Sequence, residues 1–224
     1  MPNLSAVQHN QKCEVSFDNN TQCNRKCSYC YIETGRNTGF NAKKIIPQLT
    51  YKVGTVKRMG LKKKNVLKKT GFRAFSFSDW QDTPQNRTDL FTWMDECKQE
   101  GIKVKFITKN VKLIPLVHDH KATGIIHLSV DAIKNGVPHK LAKRLRQQYK
   151  KVIIRSVILK DEDLQTLDFA DLHTMNHGNN GFKNYAAKKT ETQKLISKHG
   201  NENKTCCVTG KCNSCPINCL IDTV

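Results

Sequence analysis

Three cysteines, Cys23, Cys27 and Cys30, stand in "CNRKCSYC" with C-x3-C-x2-C spacing. A closed zinc site takes four ligands and disulfides take pairs, so a trio of thiols in one loop points to a metal centre that keeps one coordination position open. An iron–sulfur cubane is normally held by four thiolates, one per iron. With three, one iron is left for a substrate or cofactor. A second cysteine group lies in "CCVTGKCNSCPINC", with Cys206, Cys207, Cys212, Cys215 and Cys219. Its C-x2-C step lets two thiolates reach one ion, the following C-x3-C step adds a third, and Cys207 or Cys206 completes four. Gly210 and Pro216 supply the turns such tight loops need. A second iron–sulfur cluster is favoured there over a structural zinc, because the first site already implies iron loading. Cys13 and Cys97, in a strand-like run and on an apolar helix face, read as structural thiols.

Charge marks a second kind of chemistry. The 224-residue chain carries a formal net charge of +19. Residues 34–78 hold twelve Lys or Arg and neither Asp nor Glu. Such a block attracts polyanions and makes binding salt-dependent, and it competes with the plainer reading of a lysine-rich solvated surface. Aromatic residues are sparse in it, so a nucleic-acid partner, RNA or DNA, is expected to be held by its backbone rather than by base stacking. His118, His120 and His127 with Asp119 invite a metal or acid–base reading, against favourable placement of histidine at a helix end.

No run of about 18 apolar residues occurs, so no transmembrane helix and no membrane partner is expected. The opening "MPNLSAVQHNQK" lacks an apolar signal region. The expectation is a cytoplasmic protein, in whose reducing surroundings clustered cysteines bind metal more often than they pair.

The elements that must position these groups alternate. Strands are expected at 12–17, 72–78, 102–108, 124–132 and 152–159. Helices are expected at 88–101 with Thr88 as cap, at 111–120 interrupted by Pro115, at 138–151, and at 184–200. The stretch 42–70 is helical at best, weakened by Gly54 and Gly60, and 164–175 reads as a short helix followed by a strand. This order argues for an α/β protein with a parallel sheet. Five or six strands are too few for a complete eight-fold barrel and suit a partial one. Two units are expected: 1–183 as the partial barrel, and 184–224 as a C-terminal helix with a cysteine-rich metal-binding segment. Functional groups should gather at the carboxyl ends of the strands.

The motif "CNRKCSYC", with Tyr29 before its third cysteine and a strand before the loop, resembles that of the radical S-adenosylmethionine (radical SAM) superfamily over about residues 12–175. The resemblance implies a partial (β/α)6 TIM-like barrel and a 4Fe–4S cluster on Cys23, Cys27 and Cys30. It also implies an open iron that chelates S-adenosylmethionine, reductive cleavage to a 5′-deoxyadenosyl radical, and hydrogen abstraction from substrate. An electron donor such as a flavodoxin is then expected as a partner. The Gly-Gly-Glu-like segment usual after the second strand is replaced by "FSFSDWQD", so Ser76, Ser78 and Asp79 would have to meet the cofactor's amino group. Asp79 reads equally as a loop cap. "LSVDA" is similar to the family's fourth-strand position, which makes Ser129 and Asp131 candidates for the ribose and carboxylate, with capping of the next turn as Asp131's other role. Arg155, inside an apolar strand, either points outward or meets an anion such as the cofactor carboxylate. Tyr31 packs near adenine or in the core, and Lys109 is a polar lining candidate. The C-terminal cysteines loosely resemble those of small phage-type radical SAM-like proteins. The expected substrate is a nucleic acid or another phosphate-rich molecule. The alternatives are a protein- or peptide-modifying or activating enzyme of the same chemistry, and a non-catalytic zinc-binding nucleic-acid module.

Overall fold

Short strands, with a described helix between each consecutive pair from β1 to β6, assemble into one parallel sheet. The computed structural model describes residues 14–17, 53–75, 79–131, 136–158, 161–175 and 205–206. Its strands are β1 (Glu14–Phe17), β2 (Phe72–Ala74), β3 (Val104–Thr108), β4 (Thr123–Asp131), β5 (Val152–Ile158), β6 (Leu172–Met175) and β7 (Thr205–Cys206). The described helices are α1 (Leu61–Thr70), α2 (Pro84–Gln99), α3 (Leu113–Val117), α4 (His139–Gln148) and α5 (Asp161–Thr166). The strand order is β1-β2-β3-β4-β5-β6-β7, and every pairing is parallel. The chain is therefore an α/β protein wound in one direction. Right-handed crossovers in such a sheet put the helices on one face.

Alternation along the strands supplies that face. Phe72, Val104, Phe106, Ile126, Leu128 and Ile154 are buried, in one cluster with Trp93 and Met94 of α2, Ile114 of α3 and Leu145 of α4. Phe72 meets Trp93 with ring centroids 5.4 Å apart. The basic stretch ahead of β2 is fastened to the C-terminal part of α2. Lys64 pairs with Glu100 at 2.5 Å, and the Gly54 N–H donates to Glu96 Oε1 at 2.6 Å.

Several boundaries differ from the sequence expectation, for physical reasons. β2 stops at Ala74 because Phe75 takes a φ of 61°, a left-handed conformation that a bulky residue adopts only under constraint. The remainder of the expected strand, 76–78, lies outside the described residues. α2 begins at Pro84, not Thr88: proline's fixed φ suits the first helical position, and Thr83 caps by accepting from the Asn86 N–H at 3.2 Å. Thr88 sits one turn in, its hydroxyl donating to Pro84 O at 3.1 Å. Pro115 does not interrupt α3, because it falls in the first turn, where no intrahelical N–H is required. α1 forms despite its weak pattern, with Gly60 at its N-cap and Gly54 in the preceding turn at φ 83°. Gly101, at φ 67°, follows the cap of α2. A seventh strand, β7, comes from the start of the cysteine-rich tail, where five or six strands were expected. The helix expected at 184–200 and the boundary at 183/184 lie outside the described residues. Among the described residues, no helix is long and apolar enough to cross a membrane.

Cys97 is fully buried in the core, and burial, helped by the neighbouring Glu96 charge, raises its thiol pKa. Alkylation by iodoacetamide at pH 8 should therefore reach Cys97 only after unfolding, as read by peptide mass mapping. Trp93→Ala should lower unfolding free energy by about 3–5 kcal/mol in urea titrations. Thr83→Ala should cost about 1 kcal/mol, the loss of one cap.

Candidate functional site at the carboxyl ends of the strands

All seven strands point the same way, so the segments after β1 to β5 leave from one end of the sheet. The cysteine loop follows Phe17 of β1 directly. Cys23 is six residues on, within about 20 Å of extended chain. Cys23, Cys27, Cys30, Tyr29, Tyr31, Ser76 and Ser78 lie outside the described residues, as do Cys207, Cys212, Cys215 and Cys219. Three thiols this close in sequence are the donor type that a cubane would take, with one iron left without a protein thiolate.

The described part of this end is a polar array. Asp79 follows β2, and both its oxygens accept bonds. Thr108 Oγ1 donates to Oδ1 at 2.5 Å, the Trp80 N–H donates to Oδ1 at 2.9 Å, and the Lys109 N–H donates to Oδ2 at 3.1 Å. Asn110 completes the staple, its side-chain amide donating to Trp80 O at 2.9 Å and its N–H to Thr108 Oγ1 at 2.8 Å. Asp79 thus fastens the loop after β2 to the end of β3, the capping role that was its alternative in the sequence. Lys109 reaches sideways to Asp131 at the end of β4 and forms an ion pair with Oδ2. Asp131's side chain is 1% exposed and that of Lys109 12%. His139, the first residue of α4, lies 3.3 Å from Asp131 O through Nε2.

Register decides what else shares this surface. Ser129 of β4 pairs with Arg155 of β5, and Asp131 with Val157. Side chains alternate along a strand, so His127, Ser129 and Asp131 occupy the face opposite the helix-covered one. Ile107 pairs with His127, which puts Lys105 of β3 on that face too. Lys105 is buried and Arg155 half-buried. Lys105 lies toward the amino end of that face, so the array at the carboxyl end joins two cations (Lys109, Arg155) to one buried carboxylate (Asp131) and a hydroxyl (Ser129). This arrangement suits an anionic group that also carries hydroxyls.

Of the candidates in the described residues, the structure brings Asp79, Ser129, Asp131, Arg155 and Lys109 to this end. It disperses the histidines. His118 pairs with Asp119 at 2.7 Å and His120 with Asp95 at 3.2 Å, while His127 is on the sheet. Among the described residues, no three of His, Cys, Asp and Glu gather where they could hold a metal ion. Sequence reasoning missed Lys105, Thr108, Asn110 and His139. Lys105 had a visible signal, since alternate lysines in "IKVKFIT" mean that one face of the strand is not apolar.

The Lys109–Asp131 pair should behave as a coupled unit. Asp131→Ala is expected to cost about 3–5 kcal/mol, by stranding a partly buried ammonium. In a double-mutant cycle with Lys109→Met, the coupling energy should be about 1–3 kcal/mol. A cycle that is additive within experimental error would contradict the pairing.

No family model matches the chain, and no curated protein matches it. Among solved structures, it is similar to a thiamine phosphate pyrophosphorylase from Pyrococcus furiosus, at 12% identity and a TM-score of 0.34. That match covers 58% of this chain and 55% of the other. A likeness this slight carries no argument about fold or activity.

Proposed function

We propose that this chain is a radical S-adenosylmethionine enzyme acting on a nucleic acid or another phosphate-rich substrate. One observation carries the reading: the C-x3-C-x2-C loop leaves β1 at the end of the sheet where Asp79, Ser129, Asp131 and Arg155 also lie. The finer fold we infer is a partial (β/α)6 barrel, supported by the sequential all-parallel strand order. When bound by Cys23, Cys27 and Cys30, a 4Fe–4S cluster supplies one-electron reduction of a sulfonium and hence a carbon radical for hydrogen abstraction. The work of the chain's own side chains is binding and exclusion of water. Arg155 offers a charge-assisted fork to the carboxylate of S-adenosylmethionine, and Ser129 beside it offers a hydroxyl to the ribose. Asp131, held by Lys109, accepts from a second ribose hydroxyl. Asp79 keeps the 79–80 loop against β3, and Ser76, Ser78 and Tyr31 are the further residues proposed to meet the cofactor. The C-terminal group, Cys207, Cys212, Cys215 and Cys219, would hold a second iron–sulfur cluster or a zinc ion. A flavodoxin-like donor would supply the electron.

Protein purified without oxygen should be brown, with about four irons per occupied cluster. On reduction with S-adenosylmethionine it should release 5′-deoxyadenosine. Cys27→Ala should abolish release while metal at the tail remains. Arg155→Lys should raise KM for S-adenosylmethionine about tenfold with a smaller change in kcat, the signature of a lost binding fork. Colourless protein with stoichiometric zinc and no deoxyadenosine would instead support the zinc-binding nucleic-acid module.

A further inference from the structure

Cations also collect at the other end of the sheet. Lys68 and Lys69 occupy the last turn of α1, which passes through Gly71 into β2. Lys103 directly precedes β3, Lys121 stands two residues before β4, and Lys150 and Lys151 directly precede β5. Since the strands are parallel, these lysines share the amino-terminal rim. All are exposed except Lys151, which is half-buried. Two are pinned to the rim by backbone acceptors: Lys103 Nζ donates to Lys121 O and Lys151 Nζ to His118 O, each at 3.0 Å. Partial burial and then the nearby Lys103 charge lower the pKa of Lys151, against an opposing effect of Asp119. Positive charge here is therefore crowded rather than merely numerous. The acids in the same connections are Glu100, engaged by Lys64, and Asp119, beside His118.

We propose that this amino-terminal rim grips the phosphodiester backbone of a nucleic acid, forming a tether at the end of the sheet opposite the candidate site. Three strand spacings separate β2 from β5, about 14 Å, and this matches the rise of about four nucleotides along one strand of a duplex. Charge complementarity selects a polyanion. An anionic membrane fits poorly, because the apolar residues that open strands β2, β3 and β5 at this rim (Phe72, Val104, Val152) are buried and offer no wedge to enter lipid. The aromatic ring beside these lysines, Tyr149, is half-buried and packed edge-on to His118 with centroids 5.1 Å apart, so the grip is one of charge and is independent of base sequence. The proposal deepens the nucleic-acid reading given above and is independent of the cluster chemistry.

The test is the salt dependence of binding to a fluorescent 20-base-pair duplex. It compares the full chain with a rim variant (Lys103→Gln, Lys121→Gln, Lys150→Gln) and a control of equal charge change on the outer side of α4 (Lys140→Gln, Lys143→Gln, Arg144→Gln). Circular dichroism verifies that both variants fold. The rim variant should flatten the plot of log K against log salt by about three and weaken binding at least about tenfold at low salt, with the control near wild type. Equal flattening in both variants, an unchanged slope in the rim variant, or wild-type binding to phosphatidylserine vesicles but not to the duplex would overturn the tether. Deoxyadenosine release separates the two readings. Release with an unchanged rim slope leaves the chemistry standing and the tether fallen. A flattened rim slope with no release under any condition does the reverse.

Discussion

A parallel strand cannot turn straight back into its neighbour; the chain must cross over and begin again at the same end. This constraint organises the molecule. It forces a helix or long segment between consecutive strands, sends every post-strand loop to one end, and leaves every pre-strand connection at the other. Because the order is sequential, with no reversal at a central strand, the helices belong to one face. The second face is free to carry polar groups. Lys105, His127, Ser129, Asp131 and Arg155 would be costly on the helix-packed side, where Phe72, Phe106 and Leu128 meet Trp93 and its neighbours.

The two ends of the sheet are built differently. At the carboxyl end, charges are interlocked: Asp79 accepts from three donors, and Lys109 neutralises Asp131. Such an array holds its geometry and presents fixed dipoles, which is what placing a small charged cofactor requires. At the amino end, the ammonium groups bond to carbonyl oxygens or stand in solvent, and positive charge goes largely uncancelled. That suits a partner held by long-range attraction rather than by fit. One backbone direction thus separates precise positioning from loose capture.

Much of this was legible in the residues, and the rest was not for identifiable reasons. The apolar runs of β3, β4 and β5 declare themselves, as does the α2 face carrying Leu90, Trp93 and Met94, because burial imposes a periodicity that one sequence can show. Arg155 stood out as a charge inside an apolar strand, and Ser129 and Asp131 became candidates through the family resemblance of "LSVDA". Their mutual placement could not be read, since the Ser129–Arg155 register and the reach from Lys109 to Asp131 are tertiary facts. The early end of β2 was hidden because "FRAFSFS" alternates like any strand and nothing in it announces the left-handed Phe75. The helix start at Pro84 was visible in principle, since a threonine followed by proline is a strong initiation signal, but the apolar pattern begins a turn later and drew the boundary with it. β7 is two residues long, too short for any periodicity.

That small strand has a consequence out of proportion to its length. β7 lies along β6, pairing Thr205 with His173 and Cys206 with Thr174. It thereby occupies hydrogen-bonding groups that a bare border strand would offer to any other molecule. A polypeptide clipped ahead of Thr205 would lose not only its last cysteines but also this cover, and would be prone to self-association through the uncovered margin. The tail is in this sense a guard on the sheet's far side as much as a holder of thiols.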